Sequence, residues 1–319
     1  MKSSITGLHH ITAIASDPQR NIDFYAGLLG LRLVKKTVNF DDPSAYHLYY
    51  GDEAGTPGSI VTFFYWPGFD GRNTAGRGES TTLVFSAPVD SLNFWKDRLR
   101  SNKVPVEVRS RFGEDALGFR DPDGIPVEIV AVETDDRTGW TGAGISPEHA
   151  LRGLHTFELT PIHVEPTESL LTNVMGFRLV RREGDRARFE VGCGGSGHYA
   201  DVITSTTLPR GRGGVGTIHH VAWSAPDDET QLEYQESLAK AGFHVSPVMD
   251  RDYFHSIYYR EQGGILFEIA TANPGFAVDE PAESLGTALK LPRQFEPART
   301  QIERALPTLL PARLHQLAS

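Results

Sequence analysis

Four short strand-like runs open four similar stretches of the chain: Leu8-His9-His10-Ile11-Thr12, Thr81-Thr82-Leu83-Val84-Phe85, Leu154-His155-Thr156-Phe157-Glu158 and Ile218-His219-His220-Val221-Ala222. Behind each lies an apolar stripe at three-to-four-residue spacing, which predicts one amphipathic helix per stretch. The stripes are Ile22, Tyr25, Leu28 and Leu29, then Val89, Leu92, Trp95 and Leu99, then Leu171 and Val174, then Leu232 and Leu238. Asp17-Pro18, Ala87-Pro88 and Ala225-Pro226 stand near three of the starts, where proline suits the first helical position. Gly30, Gly176 and Gly242, each followed by an apolar residue, predict left-handed caps, with Asn102 in that role in the second stretch. β-rich segments follow and end on apolar strands at 60–64, 127–132, 202–204 and 266–270.

The repeating unit therefore reads βαβββ, and the expected fold class is α+β. Four strands with one helix cover only one face of a sheet, so units must pair into open barrels, two barrels for four units. The expected organisation is an N-terminal pair over 1–135, a Gly- and Thr-rich linker over 136–149 and a C-terminal pair over 150–272. A Pro-rich tail over 273–319 follows, with room for one helix near 298–306, and reads as a strap.

Composition narrows the class. With 39% hydrophobic and 23% charged residues the chain has the mix of a folded globular protein rather than a disordered one. A net charge of −10 with scattered Lys and Arg argues against a nucleic-acid partner. Cys193 is the one cysteine, so an intrachain disulfide is excluded and a cytoplasmic location is expected. Residues 1–7 lack a signal-peptide pattern, and no apolar run predicts a membrane span.

Because the units are equivalent, one slot can be compared across all four. The first-strand slot holds His10, Thr82, Thr156 and His220, and the last-strand slot holds Thr62, Glu128, Asp201 and Glu268. Pairing unit one with two, or three with four, gives no barrel with two histidines. Pairing one with four gathers His10, His220, Glu268 and Thr62. Two imidazoles and one carboxylate on one face of a divalent ion form the pattern of non-haem Fe(II) oxygen chemistry, which also admits Mn(II). Each residue alone reads better as an ordinary strand residue. Together they favour a metal, because Glu268 lies among Ile265, Leu266, Phe267, Ile269 and Ala270, where an unpaired carboxylate is costly to bury. Glu128 lies in a similar run without a histidine in its barrel and reads as a structural acid.

At this point the sequence resembles the vicinal oxygen chelate superfamily, whose members pair βαβββ units around one metal. The twin Leu8-His9-His10-Ile11-Thr12 and Ile218-His219-His220-Val221 motifs, residues 251–259 and Phe267-Glu268 look like ring-cleaving dioxygenases that act on hydroquinones. The resemblance implies Fe(II) on His10, His220 and Glu268, a small aromatic substrate and O2 as partners, and substrate-side roles for His9, Thr12, His219, Arg251 and Tyr258. Strand alternation supports Thr12 but puts His9 and His219 on the face away from the ligands, unless a bulge intervenes. A glyoxalase-like lyase, expected to want a second acidic ligand, and a metal-free aromatic-binding resistance protein are the competing readings. A homo-oligomer is compatible with every one of them.

The Gly-rich run 192–198 lacks the lysine and setting of a phosphate loop and reads as a hairpin. Cys193 has no base placed beside it by sequence alone. Asp121-Pro122-Asp123-Gly124 reads as a tight turn, and His47, a candidate for lining the concave face of the first unit, reads first as a structural residue on an aromatic strand.

Overall fold

The computed structural model describes residues 4–68, 71 and 75–313. Unit one comprises β1 (Gly7–Ile14), α1 (Pro18–Ile22), β2 (Arg32–Val38), β3 (Tyr46–Gly51) and β4 (Ile60–Tyr65). Unit two comprises β5 (Glu79–Pro88), α2 (Leu92–Ser101), β6 (Glu107–Arg111), β7 (Glu114–Arg120) and β8 (Pro126–Val132). Unit three has β9 (Gly153–Thr160), α3 (Val164–Asn173), β10 (Arg178–Glu183), β11 (Arg186–Glu190) and β12 (Tyr199–Ile203). Unit four has β13 (Ile218–Ala225), α4 (Asp228–Lys240), β14 (Met249–Asp250), β15 (Phe254–Arg260) and β16 (Leu266–Pro274).

The strands form two eight-stranded sheets, ordered β14-β15-β16-β13-β1-β4-β3-β2 and β10-β11-β12-β9-β5-β8-β7-β6. Units one and four thus share one curled sheet, joined by antiparallel β1 and β13, and units two and three share the other through β5 and β9. The expected α+β pairing of first with last unit is the one found. One continuous apolar cluster, including Tyr25, Trp95, Phe157 and Trp223, fills the space beneath both sheets.

Several local expectations need correction. Only Pro18 occupies a first helical position, after Asp17, whose side chain accepts from the Arg20 amide. Pro88 ends β5 instead, and a single 3-10 turn precedes α2, so Val89 lies before the helix and is exposed. Pro226 precedes Asp227, the true cap of α4. Gly30, Gly176 and Gly242 do adopt positive φ, but in the second unit that conformation falls on Lys103 (φ 59°), not Asn102 (φ −96°). Leu232 sits on the outer face of α4 and is exposed, while Leu238 is buried.

Two turns lock the units to one another by the same device. In the 121–124 turn, Asp121 accepts from the Asp123 and Ile125 amides, and its second oxygen takes the Tyr25 hydroxyl of unit one at 3.1 Å. In unit four, Glu261 accepts from the Gly263 and Ile265 amides and from the Thr167 hydroxyl of unit three. Burial, then the nearby Asp123 carboxylate, push the Asp121 carboxyl up to about 7 from its usual 3.8. The folded protein therefore keeps a proton there that the unfolded chain has lost, and this site's stabilisation fades as pH rises from about 4 to about 7. Between pH 5 and pH 8, wild type is expected to lose stability relative to Asp121→Asn, by an amount on the order of a few kcal/mol. Urea midpoints of both proteins at the two pH values check this, and parallel profiles would refute it.

Beyond β16 the chain runs along unit one and carries α5 (Arg299–Ala305). The Lys290 amide donates to the Lys36 carbonyl at 2.9 Å, and the Tyr46 hydroxyl donates to the Pro307 carbonyl at 2.9 Å. Lys35 of β2 is fully buried, with its ammonium 2.5 Å from Asp279 and 2.6 Å from Glu280.

Candidate metal centre

His10 lies on β1, His220 on β13 and Glu268 on β16. Ala222 of β13 pairs with His10 on one side and with Glu268 on the other, and Thr12 pairs with His220, so the three side chains rise at nearly one level. His10 Nε2 is 3.3 Å from His220 Nε2 and 3.4 Å from Glu268 Oε2, and His220 Nε2 is 3.0 Å from the same oxygen. All three residues are buried. Donors bonded at about 2.1 Å and at right angles to one first-row ion lie roughly 3.0 Å apart, close to these separations.

The hydrogen-bond network fixes what these atoms present. His9 Nε2 is 3.0 Å from the Thr271 carbonyl, which only accepts, so that nitrogen carries a proton. Burial, then the neighbouring His10, lower His9 to about 3 and keep it neutral, so its Nδ1 is an acceptor. His10 Nδ1, 2.8 Å away, must donate to it. His10 Nε2 is then a bare lone pair aimed at Glu268. His220 Nδ1 meets His219 Nδ1 at 2.8 Å, and an ion on His220 Nε2 would leave the shared proton on His220 Nδ1, as in the first pair.

Glu268 completes the set. Ser256 donates to its Oε1 at 2.5 Å, while its Oε2 is buried without a hydrogen-bond partner. Burial pushes this carboxyl up, and a positive charge at the two imidazole nitrogens, carried by a proton or by a bound ion, is what would hold it ionised below the usual carboxylate range. With His220 in the tautomer of His10, two lone pairs and an anionic oxygen face one another with no proton between them. Such a cluster is repulsive unless a cation sits in it, so the residues present fit a divalent ion.

Bulges explain how His9 and His219 reach the ligands from the far face. The β1–β13 register shifts between Leu8 and His10 and again opposite His219, so each of these histidines is the extra residue on its strand. Thr12 reaches its neighbour Thr62 at 2.9 Å, and the Thr62 hydroxyl also meets His47 Nε2 at 2.8 Å.

A narrow cleft opens on His10 and His220 and is walled by Phe64, Phe254, Arg251 and Tyr258. Arg251 is mostly buried, pairs with Asp41 at 3.2 Å and donates to the Tyr258 hydroxyl at 3.4 Å. Burial, reinforced by the Glu268 carboxylate, raises the Tyr258 phenol well above its usual range. His47 and Tyr49 also line this cleft, joined by a 2.8 Å bond between the tyrosine hydroxyl and His47 Nδ1. The sequence favours a structural role for His47 over lining the concave face, and the structure places it on the cleft. The available signal was its i, i+2 spacing with Tyr49, which puts both on the face that carries Thr62.

The equivalent slots of the other sheet hold no such cluster. Glu128 pairs with Arg109 at 2.6 Å and Arg111 at 2.9 Å, and Asp201 pairs with Arg188 at 2.8 Å. Thr82 donates to Glu158, which also takes Arg111 and Arg186. Arginines there supply the positive charge. Cys193, assigned no base from sequence, has His198 Nε2 3.5 Å from its sulfur and is exposed.

The sequence model of the Glyoxalase/Bleomycin resistance protein/Dioxygenase superfamily matches residues 7–129 and 153–269. The chain belongs to this superfamily. Within it, the chain is 47% identical over 308 residues to "Putative ring-cleaving dioxygenase MhqO" of Bacillus subtilis, covering 96% of this chain and 97% of that one. It is 35% identical over 311 residues to a chlorohydroquinone/hydroquinone 1,2-dioxygenase of Sphingobium indicum, covering 95% and 96%. A crystal structure of a "putative dioxygenase" from Bacillus subtilis superposes with a TM-score of 0.93 at 46% identity, over 97% of this chain and 98% of that one. Glyoxalase I from Zea mays shares the fold alone, with a TM-score of 0.62 at 14% identity over 83% of this chain and 92% of that one.

Proposed function

We propose that the protein, a ring-cleaving dioxygenase by its family, opens a hydroquinone-like ring with O2 and holds the ion this needs on His10, His220 and Glu268. Fe(II) is the expected ion, and Mn(II) the alternative that the same donors accept. The observation that carries the reading is the convergence of two imidazole nitrogens and an unpartnered carboxylate oxygen at the floor of an aromatic-walled cleft. The hydroquinone dioxygenase among the relatives supports the substrate class.

A bound ion of this kind supplies Lewis acidity toward an ionised ring hydroxyl and a redox route to O2. His9 and His219 keep the two ligand imidazoles in the tautomer that bares Nε2. Phe64 and Phe254 offer faces against which an aromatic ring packs. Tyr258 keeps its proton and, held by Arg251, can donate it to an oxygen of the substrate. Thr62 occupies the slot where a lyase of this fold is expected to want a second acid. Its hydroxyl is spent on Thr12 and His47, and the three-residue cluster gains no further acidic donor among the described residues.

Oxygen consumption by anaerobically purified, Fe(II)-reconstituted protein tests the reading. Addition of hydroquinone is expected to consume one O2 per ring opened. Hydroquinone left intact by fully iron-loaded protein would overturn it.

A further inference from the structure

The two histidine pairs are built alike up to their outer ends, and there they differ. His9 passes its Nε2 proton to the Thr271 carbonyl. With an ion on His220 Nε2, His219 Nδ1 accepts from His220 Nδ1–H, so its own proton lies on Nε2, at the exposed end of the ring, where no described residue accepts it. That end of the ring faces a second cavity of about 310 Å3, separated from the aromatic cleft by His220, which lines both.

Three guanidinium groups line the same cavity: Arg77, Arg210 and Arg260. Arg77 Nε donates to the Leu208 carbonyl at 2.9 Å and Arg260 Nη1 to the Gly264 carbonyl at 2.6 Å. Among the described residues no carboxylate pairs with any of the three, although the chain carries ten more acidic than basic side chains. Glu79 is the acid in the wall, and it accepts from the Gly76 amide at 3.2 Å. The Thr217 hydroxyl in the same wall is engaged with the Gly214 carbonyl.

We propose that this cavity binds a small carboxylate, taken up by the guanidinium groups and by His219 Nε2–H. Planar, two-oxygen anions match the fork of a guanidinium, and an oxygen on His219 would supply the acceptor that Thr271 supplies to His9. The source of the carboxylate rests on the proposed ring cleavage. In that reaction the bond between a hydroxyl-bearing ring carbon and its neighbour breaks, and each carbon gains one atom of O2. The first becomes a carboxyl and the second an aldehyde. Hydroquinone is neutral and the opened chain is an anion, so a cationic cavity one imidazole away from the cleft distinguishes product from substrate.

Calorimetric titration of the metal-loaded protein with cis,cis-muconate, its dimethyl ester and inorganic phosphate tests the site. Muconate is expected to bind saturably and the ester not at all. Arg210→Ala, whose guanidinium has no partner among the described residues, combined with Arg77→Ala, is expected to weaken muconate binding at least tenfold. Muconate affinity that ignores the arginine replacements, absence of saturable binding, or phosphate binding as tightly as muconate would each overturn the assignment. Arginine-dependent muconate binding in a protein that leaves hydroquinone intact would uphold the site and remove ring cleavage as the source of its ligand.

Discussion

His220→Ala is expected to lose bound metal and turnover together, with oxygen uptake falling about a thousandfold or more, the scale of several kcal/mol of lost metal assistance. The expectation follows from geometry. Removing one of three donors whose separations are 3.0, 3.3 and 3.4 Å leaves two, too few to hold an ion against water. Folding should survive, because the imidazole removed is one of the mutually repelling lone pairs. Glu128→Ala is the matched control, a buried carboxylate at the same slot of the other sheet. It should keep its full metal content while losing about 1–3 kcal/mol of stability, since Arg109 and Arg111 are left without their shared acid. Elemental analysis and thermal melting of both variants decide the matter. Stoichiometric metal in His220→Ala would sink the ligand assignment.

Glu280→Ala is expected to destabilise the fold by about 3–5 kcal/mol, because Lys35 is left as a buried ammonium with one of its two acids gone. Glu280 also accepts from the Gly286 and Ala288 amides, so the strap comes loose from β2 at the same place. The double variant Lys35→Met with Glu280→Leu should recover most of the loss, since an apolar pair carries no desolvation cost. Urea unfolding of the single and double variants measures the difference. A double variant as unstable as the single one would place the damage in the lost amide contacts instead.

Internal duplication made most of the architecture readable from sequence. Four copies of one pattern allowed His10, His220 and Glu268 to be separated from Thr82, Thr156 and Glu128 by their slots and by which units can share a barrel. What stayed hidden came from two physical sources. Strand alternation is a strict rule only where the ladder is regular, so the inserted residues at His9 and His219 could not be placed on a face. Side chains that reach their partners across the strands of one sheet are equally silent, as Arg109, Arg111 and Arg188 were, because their targets lie 13 to 19 residues away or in another unit. The second-unit cap failed for a local reason, the left-handed turn falling one residue later, on Lys103.

The seam between β1 and β13 also has a consequence for biosynthesis. Its two strands are more than two hundred residues apart in the chain, so at ribosomal speeds β1 waits roughly ten to forty seconds for its partner. Throughout that interval a long hydrophobic edge is bare, with Ile11 and Ala13 in reach of any other nascent strand. An inserted histidine distorts such an edge and discourages foreign pairing. The same irregularity that turns His9 toward the metal ligands would then guard the half-made protein until unit four emerges.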